Sequence, residues 1–353
     1  MANNSSSTLN CGVDNQVRAI AISSLYFLLF LPALLLNLLV AWISVNLKSK
    51  TTFMVYLKHL VAADLLMTLT FPVRAASELP GITDRLQAFA CRYSHVFFYL
   101  AMNMSIILMG LISLDRFFKI VRPGGRLLCQ NLRFSKVLSV VIWLLLISMN
   151  TLPVIITTNQ DPFNNNTNKS EICMSMKSKI GLVWHKVVIQ FASIIFWAAC
   201  IVITLSYMCI TKKVVESYHR SRSSNDQGKR KAKVRVFLIL LVFLVCYVPY
   251  YIVRIPYTMV QVSDKGSCTR PILKVVKDLT LWLSSTNVCL DPLIYFFLCK
   301  AFRKRFMETC EINRLFPSFG KTSIVQLLCL MCPSPFLREV LLDQLHILSD
   351  PQR

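Results

Sequence analysis

Seven predominantly apolar stretches succeed one another along the chain, at residues 19–47, 53–79, 88–121, 134–157, 184–211, 235–260 and 272–298. The first carries no charged side chain, and as a helix it would reach ~43 Å at ~1.5 Å per residue, against a hydrocarbon core of ~30 Å. A chain crossing lipid must satisfy its backbone internally, by helices or by a closed barrel. These stretches are too long and too continuously apolar for the alternating strands of a barrel. The expected fold is therefore all-α, a bundle of seven transmembrane helices. Composition agrees: 55% of residues are hydrophobic and only 16% charged, with a mean hydropathy of +0.54, which is too apolar for an ordinary soluble domain.

The formal net charge of +22 sets the orientation. Lys48 and Lys50, then Arg122, Arg126 and Arg133, then a long run from Lys212 to Lys233 fall in alternate loops, and basic loops stay on the cytoplasmic side. The other face is much less basic. Seven spans then place the amino terminus outside and the carboxyl terminus inside. The expected organisation is an outer segment 1–18, a membrane domain 19–299, a short amphipathic helix 300–310 and a cytoplasmic tail 311–353. In the third of these, Phe302 and Phe306 alternate with Arg303, Lys304 and Arg305, a pattern that lies on the inner leaflet and its lipids. The basic residues flank membrane helices and are not interleaved with stacking aromatics, so a nucleic-acid partner is not expected.

Asn3, Asn4, Asn165 and Asn168 each begin an Asn-x-Ser/Thr sequon in an outer segment and are the expected glycosylation sites. Four of the 13 cysteines, Cys11, Cys91, Cys173 and Cys268, also fall outside, where oxidation is permitted. Four cysteines allow three pairings. A Cys91–Cys173 bridge would tie the second outer loop over the bundle, and Cys11–Cys268 would join the amino terminus to the third outer loop. No zinc-ligand spacing is present, and no cofactor is expected.

Eight positions combine in order and spacing: Asn37, Asp64 in LVAADLL, Cys91, Asp115-Arg116-Phe117, Trp143, Tyr207, Cys246-Tyr247-Val248-Pro249 and Asp291-Pro292-Leu293-Ile294-Tyr295. Each is weak alone, but the set resembles the rhodopsin-like G-protein-coupled receptors. FYLAMNMSI, GLISLDRFFKIVRP, GLVWHK, RIPYT and NVCLDPLIYFFLC narrow the resemblance to the purinergic nucleotide receptors, and to the subgroup answering ADP and UDP-sugars. Phe117, Tyr247 and Asp291 depart from the wider pattern. The resemblance implies a plasma-membrane receptor, not an enzyme, for an extracellular nucleotide, ADP-like, that acts on a heterotrimeric G protein of the inhibitory class.

Charges at membrane depth are costly and mark function. Arg74, Arg254 and Lys277 sit near the outer ends of the second, sixth and seventh stretches, joined by His185, Lys186 and the loop residue Lys177. Guanidinium forks take phosphate oxygens in pairs and ammonium groups act as point charges, so the cluster suits a polyanionic head. Snorkelling to lipid headgroups is the bland alternative. Tyr99, Tyr250, Tyr251 and Tyr257 add rings that stack on a base or simply pack. By resemblance, Tyr99, His185, Arg254, Tyr257 and Lys277 match ligand contacts of the ADP receptor, with Arg74 in place of a lysine. The subgroup has Asn where this chain has Val154 and Ile189, Tyr at Asn103 and His at Tyr251. A UDP-sugar or a lysophospholipid is the alternative ligand.

Deeper, Asp64 with Ser105, Asn287 and Asp291 resembles a sodium pocket, the alternative being a protonated acid bonded to Asn287. At the inner end, Asp115 is expected to restrain Arg116 until Arg116 meets Tyr207, Tyr295 and a partner, with Pro249 kinking the sixth helix as a pivot and Asp291 and Pro292 among the switch residues of the seventh. A small-anion transporter, the reading from another class, would show repeats and helices broken at mid-membrane, and neither is evident in the sequence.

Overall fold

The computed structural model describes residues 15–47, 51–121, 131–160, 172–220, 226–262 and 269–298. The four sequons, the Cys11–Cys268 bridge, helix 300–310 and the tail lie outside these residues, as does the side chain of Tyr295. The described chain is helical almost throughout: α1 (Asn15–Asn46), α2 (Thr52–Glu78), α3 (Asp84–Phe89), α4 (His95–Val121), α5 (Leu132–Leu146), α6 (Leu152–Thr157), α7 (Ile172–Ser175), α8 (Lys179–Arg220), α9 (Asp226–Val262), α10 (Thr269–Ser285) and α11 (Asn287–Leu298). Among the described residues, six helical runs are long and apolar enough to cross a membrane. The seventh crossing is α10 with α11.

That seventh crossing, expected as one span over 272–298, is broken at Thr286. Ser284 and Ser285 both turn their hydroxyls onto the Leu281 carbonyl, and Thr286 bonds the carbonyl of Leu283. Hydroxyls that compete with the helical ladder in this way bend it. Four residues beyond Val288 comes Pro292, which has no N–H to give the Val288 carbonyl. Asn37 of α1 takes that place, its Nδ2 donating to Val288 O at 3.0 Å and to Ala33 O at 2.9 Å.

Two π-turns were likewise not expected. Ala90–Ser94 joins α3 to α4, and Ile147–Thr151 joins α5 to α6. Each rotates the residues beyond it relative to a regular helix, a feature frequent at functional sites. The basic stretch expected as a third inner loop is largely helical, because α8 continues to Arg220 and α9 starts at Asp226.

α4 is the bundle's axis. Phe98, Ala101, Met104, Ile106 and Leu108 are fully enclosed, packed with Phe71 of α2, Phe196 of α8 and Phe243 of α9. Phe71 and Phe98 meet as tilted rings at 6.4 Å. α5 instead turns Val137, Val140, Val141, Leu144 and Leu145 outward. Such an apolar outer face is at home in lipid, where close packing and polar contacts hold helices together. Ser23 Oγ to Ala75 O at 2.8 Å and Trp282 Nε1 to Leu25 O at 3.1 Å are contacts of this kind.

Over the outer mouth, Cys91 and Cys173 are joined with a Cα separation of 5.2 Å, as expected. The bridge pins α7 against the start of the third crossing, and an isolated antiparallel bridge between Thr158 and Lys177 closes the other side. Gly181 permits this closure: a Cβ there would lie 2.9 Å from the Thr157 side chain. At the α2–α3 turn Gly81 has φ +86°, a conformation that side chains disfavour.

Candidate functional site

The helices enclose a cavity of about 710 Å³ beneath the bridged loop, within the range that holds one small ligand. All seven expected contact residues line it: Arg74 from α2, Tyr99 from α4, Lys177 from the loop, His185 from α8, Arg254 and Tyr257 from α9 and Lys277 from α10. Lys186 does not. Its neighbour His185 faces the cavity while Lys186 is exposed, because adjacent helical residues point about 100° apart.

The cations are held by ring faces. Arg74 Cζ lies 4.6 Å from the Phe98 centroid and 5.2 Å from that of Tyr26; Arg254 Cζ lies 5.4 Å from Tyr99, and Lys277 Nζ 5.0 Å from Tyr257. Such contacts orient a cation without spending its hydrogen-bond donors. Nη1 of Arg74 is buried and has no hydrogen-bond partner among the described residues. Lys177, in the loop, is held down to about 8 by burial and then by the nearby Arg254 charge. It is a cation that a phosphate would stabilise.

Sequence reasoning missed two acids. Asp278 is 3% exposed and lies between Lys277 Nζ at 2.5 Å and Arg18 Nη1 at 2.6 Å. Glu78 stands 3.6 Å from the same guanidinium. Arg18 and Lys274 also line the cavity. Arg18 had fallen at the edge of the outer segment, and Asp278 was overshadowed by Lys277.

The opposite flank is less charged. Val154, Val188, Ile189 and Ala192 line it, and the π-turn before α6 brings Asn150 and Thr151 to the same wall. Asn150 Nδ2 and Thr151 Oγ1 are buried without partners among the described residues, so this wall offers polar atoms a turn below the valine. At the floor, Tyr251 stacks on Phe196 at 4.0 Å and 3° and bonds Asn103 Oδ1 at 3.3 Å. Tyr251 is thus part of the packed floor as well as the lining. His95, also missed, faces the cavity with Nε2 unpartnered among the described residues. It converges with Cys91 and Cys173, but two sulfurs bonded to each other are not thiolate ligands.

Two further polar groups lie below. Ser105 Oγ donates to Asp64 at 3.1 Å, Asn287 Nδ2 to Asp291 at 2.8 Å, and Asp64 and Asp291 meet side chain to side chain. The structure therefore assembles the four residues expected at the sodium pocket, all at most 1% exposed. Asn287 Oδ1 and Asp291 Oδ1 remain buried acceptors without hydrogen-bond donors among the described residues, which fits a small hard cation. At the inner end Asp115 accepts from Thr52 on one oxygen and from Lys119 at 2.7 Å on the other, so its ion partner is Lys119, one turn on, and not the adjacent Arg116 as expected. Arg116 sits with its Cζ 4.3 Å from the Phe53 ring centroid. Tyr207 is buried, while Pro249 lies inside α9 and Pro292 inside α11.

Residues 36–295 match the 7 transmembrane receptor (rhodopsin family). The chain belongs to this family, and within it to the purinoceptors; it is a multi-pass membrane receptor, not an enzyme. It is 42% identical to bovine purinoceptor 14 over 294 residues, covering 83% of this chain and 86% of the relative. Identity to human purinoceptor 13 is 38% over 296 residues, 84% and 82% of the two chains. Mouse G-protein coupled receptor 87 is 37% identical over 305 residues, 86% and 84%.

Proposed function

We propose that this chain is a plasma-membrane receptor, amino terminus outside, for an extracellular nucleotide of the ADP type, and that it acts on a heterotrimeric G protein of the inhibitory class. The observation that carries the reading is the convergence of Arg74, Lys177, Arg254 and Lys277 on one cavity whose walls also hold the Tyr99 and Tyr257 rings. A polyphosphate is the chemistry that such a set neutralises, with guanidinium forks on its oxygens and a ring face for a base. The purinoceptor names of the relatives support it, as does the coupling in the name of a third.

Asp64, Ser105, Asn287 and Asp291 would hold a sodium ion between the cavity and the inner face, supplying oxygen ligands where two carboxylates meet. The Asp115, Lys119 and Thr52 contacts restrain the inner end of α4, beside the Arg116 that would engage the G protein. The outer cysteines and sequons fit an extracellular amino terminus.

One observation favours a second ligand class. Val154 and Ile189 make part of the cavity wall apolar, as the acyl chain of a lysophospholipid would require. The deciding experiment is a G-protein nucleotide-exchange screen of the full-length receptor against ADP, ATP, UDP, UDP-glucose and lysophosphatidic acid. Activation by ADP at the lowest concentration is expected. Activation by the lipid alone would overturn the nucleotide reading.

A further inference from the structure

The cavity carries more charge than the seven expected residues account for. Six cationic side chains line it, Arg18, Arg74, Lys177, Arg254, Lys274 and Lys277, against one lining carboxylate, Glu78, and a second, Asp278, buried behind Arg18 and Lys277. With the histidines neutral, that is an excess of four positive charges. Both acids are approached by one guanidinium, because Arg18 Nη1 lies 2.6 Å from Asp278 and 3.6 Å from Glu78. The side chains of Arg18 and Asp278 are only 9% and 4% exposed, so water screens the contact little. Asp278 also holds Lys277. Its charge is therefore divided between a cation from α1 and a cation from α10. Without Arg18 it would fall on the lysines of α10, Lys277 first and Lys274 beside it, and would cancel part of the positive charge that an anion meets at that end of the cavity.

We propose that Arg18 is a specificity-determining residue of this site: by neutralising Asp278 from the α1 side, it preserves the cationic excess that a ligand with a terminal, doubly ionised phosphate requires. This rests on the nucleotide reading and narrows it. A terminal phosphate carries a charge of about −1.5 to −2 near neutral pH, so a nucleoside diphosphate approaches −3. In a nucleotide sugar both phosphates are esterified at each end and the total is about −2. The buried Nη1 of Arg74, without a hydrogen-bond partner among the described residues, is an independent sign that the same cavity takes an anion.

Thermal stabilisation of the purified full-length receptor by inorganic pyrophosphate tests Arg18 without calling on signalling. Arg18→Gln is expected to weaken pyrophosphate about ten-fold, and Asp278→Asn to tighten it by a similar factor. The double variant should return to within about two-fold of the wild type, since the two residues act on one charge. Orthophosphate, with less charge, should show smaller shifts of the same signs. Opposite signs are the signature, because a purely structural brace loses affinity when either partner is removed. Weakening by both single variants, or no stabilisation of the wild type, would overturn the proposal. Should Arg18→Gln not fold, Arg18→Lys and Asp278→Asn decide: the lysine must keep the affinity within about three-fold, and the asparagine must tighten it. The expected signs in a receptor that no nucleotide activates would leave this role standing and remove the nucleotide reading alone.

Discussion

Replacing Arg254 by alanine is the most direct trial of the cavity. Arg254 is 8% exposed, its Cζ stands 5.4 Å from the Tyr99 ring, and its carbonyl accepts from the Thr258 hydroxyl at 2.8 Å within α9. The backbone should therefore tolerate the change. The ligand would lose a forked, charge-assisted contact and keep a phosphate facing a space without its cation. Truncating one side of a buried charge pair costs about 2–5 kcal/mol. The lower part of that range applies, because Arg74, Lys177 and Lys277 still surround the anion and water enters from the mouth. About 2–3.5 kcal/mol corresponds to a loss of potency of roughly 30- to 300-fold at 1.4 kcal/mol per decade. Arg254→Lys keeps the charge but loses the fork and alters the cation–π contact with Tyr99. A deficit of about 1 kcal/mol, or about five-fold, is expected for it. Concentration–response curves for ADP-stimulated nucleotide exchange, at matched surface expression, measure both variants. Potencies within two-fold of wild type for both would refute the assignment of phosphate to this end of the cavity.

Three other outcomes follow from the same geometry. Because Lys177 is held down to about 8 by burial, it is cationic below that pH and neutral above it, so affinity for a polyanion should fall as pH rises from 7 to 9. Lys177→Arg should remove that fall, and binding curves at fixed salt across the interval check it. Cys91→Ser frees a loop whose bridge spans 82 residues, worth up to ~4.5 kcal/mol of chain restriction; a lower melting temperature and weaker agonist potency are expected together. Asp115→Asn loosens the Thr52 and Lys119 contacts and should raise ligand-independent exchange about two- to five-fold, whereas Arg116→Ala should abolish exchange and leave radioligand affinity within three-fold of wild type.

The apolar stretches placed the helices because in lipid the backbone has one local way to satisfy itself. Charges at membrane depth stood out for the same reason, which is why Arg74, Arg254 and Lys277 were legible. What escaped were features of phase. His185 and Lys186, like Lys277 and Asp278, are neighbours in sequence but occupy different angles around the helix, and an unrecognised π-turn shifts every later angle. The turn at Ile147–Thr151 conceals Asn150 and Thr151 from any regular 3.6-residue reading. Arg18 escaped through its position at the edge of the first stretch, since its meaning depends on Asp278, 260 residues away. The break at Thr286 is written in the run Ser284-Ser285-Thr286, but whether hydroxyls bend a helix or face outward depends on tertiary packing.

A ligand in this cavity changes the inner face only by binding one arrangement of the bundle better than another. α4 and α9 both span the distance: α4 carries Tyr99 above and Asp115 below, and α9 carries Arg254 above Pro249. They meet at the cavity floor, where Tyr251 bonds Asn103 and stacks flat on Phe196. Tyr251 lies three residues from Arg254, so both occupy the same side of α9. A phosphate that draws Arg254 inward therefore bears on the Tyr251 stack through less than one turn of helix. Pro249, two residues further in, removes a backbone bond where such a shift would otherwise be resisted. The floor contacts are few and specific, and a close-packed interior responds to their displacement by exchanging one packing for another. The polar layer of Asp64, Asn287 and Asp291 lies below that floor in the bundle's buried interior, so a sodium ion held there as proposed and the position of α9 would influence each other with equal strength in both directions.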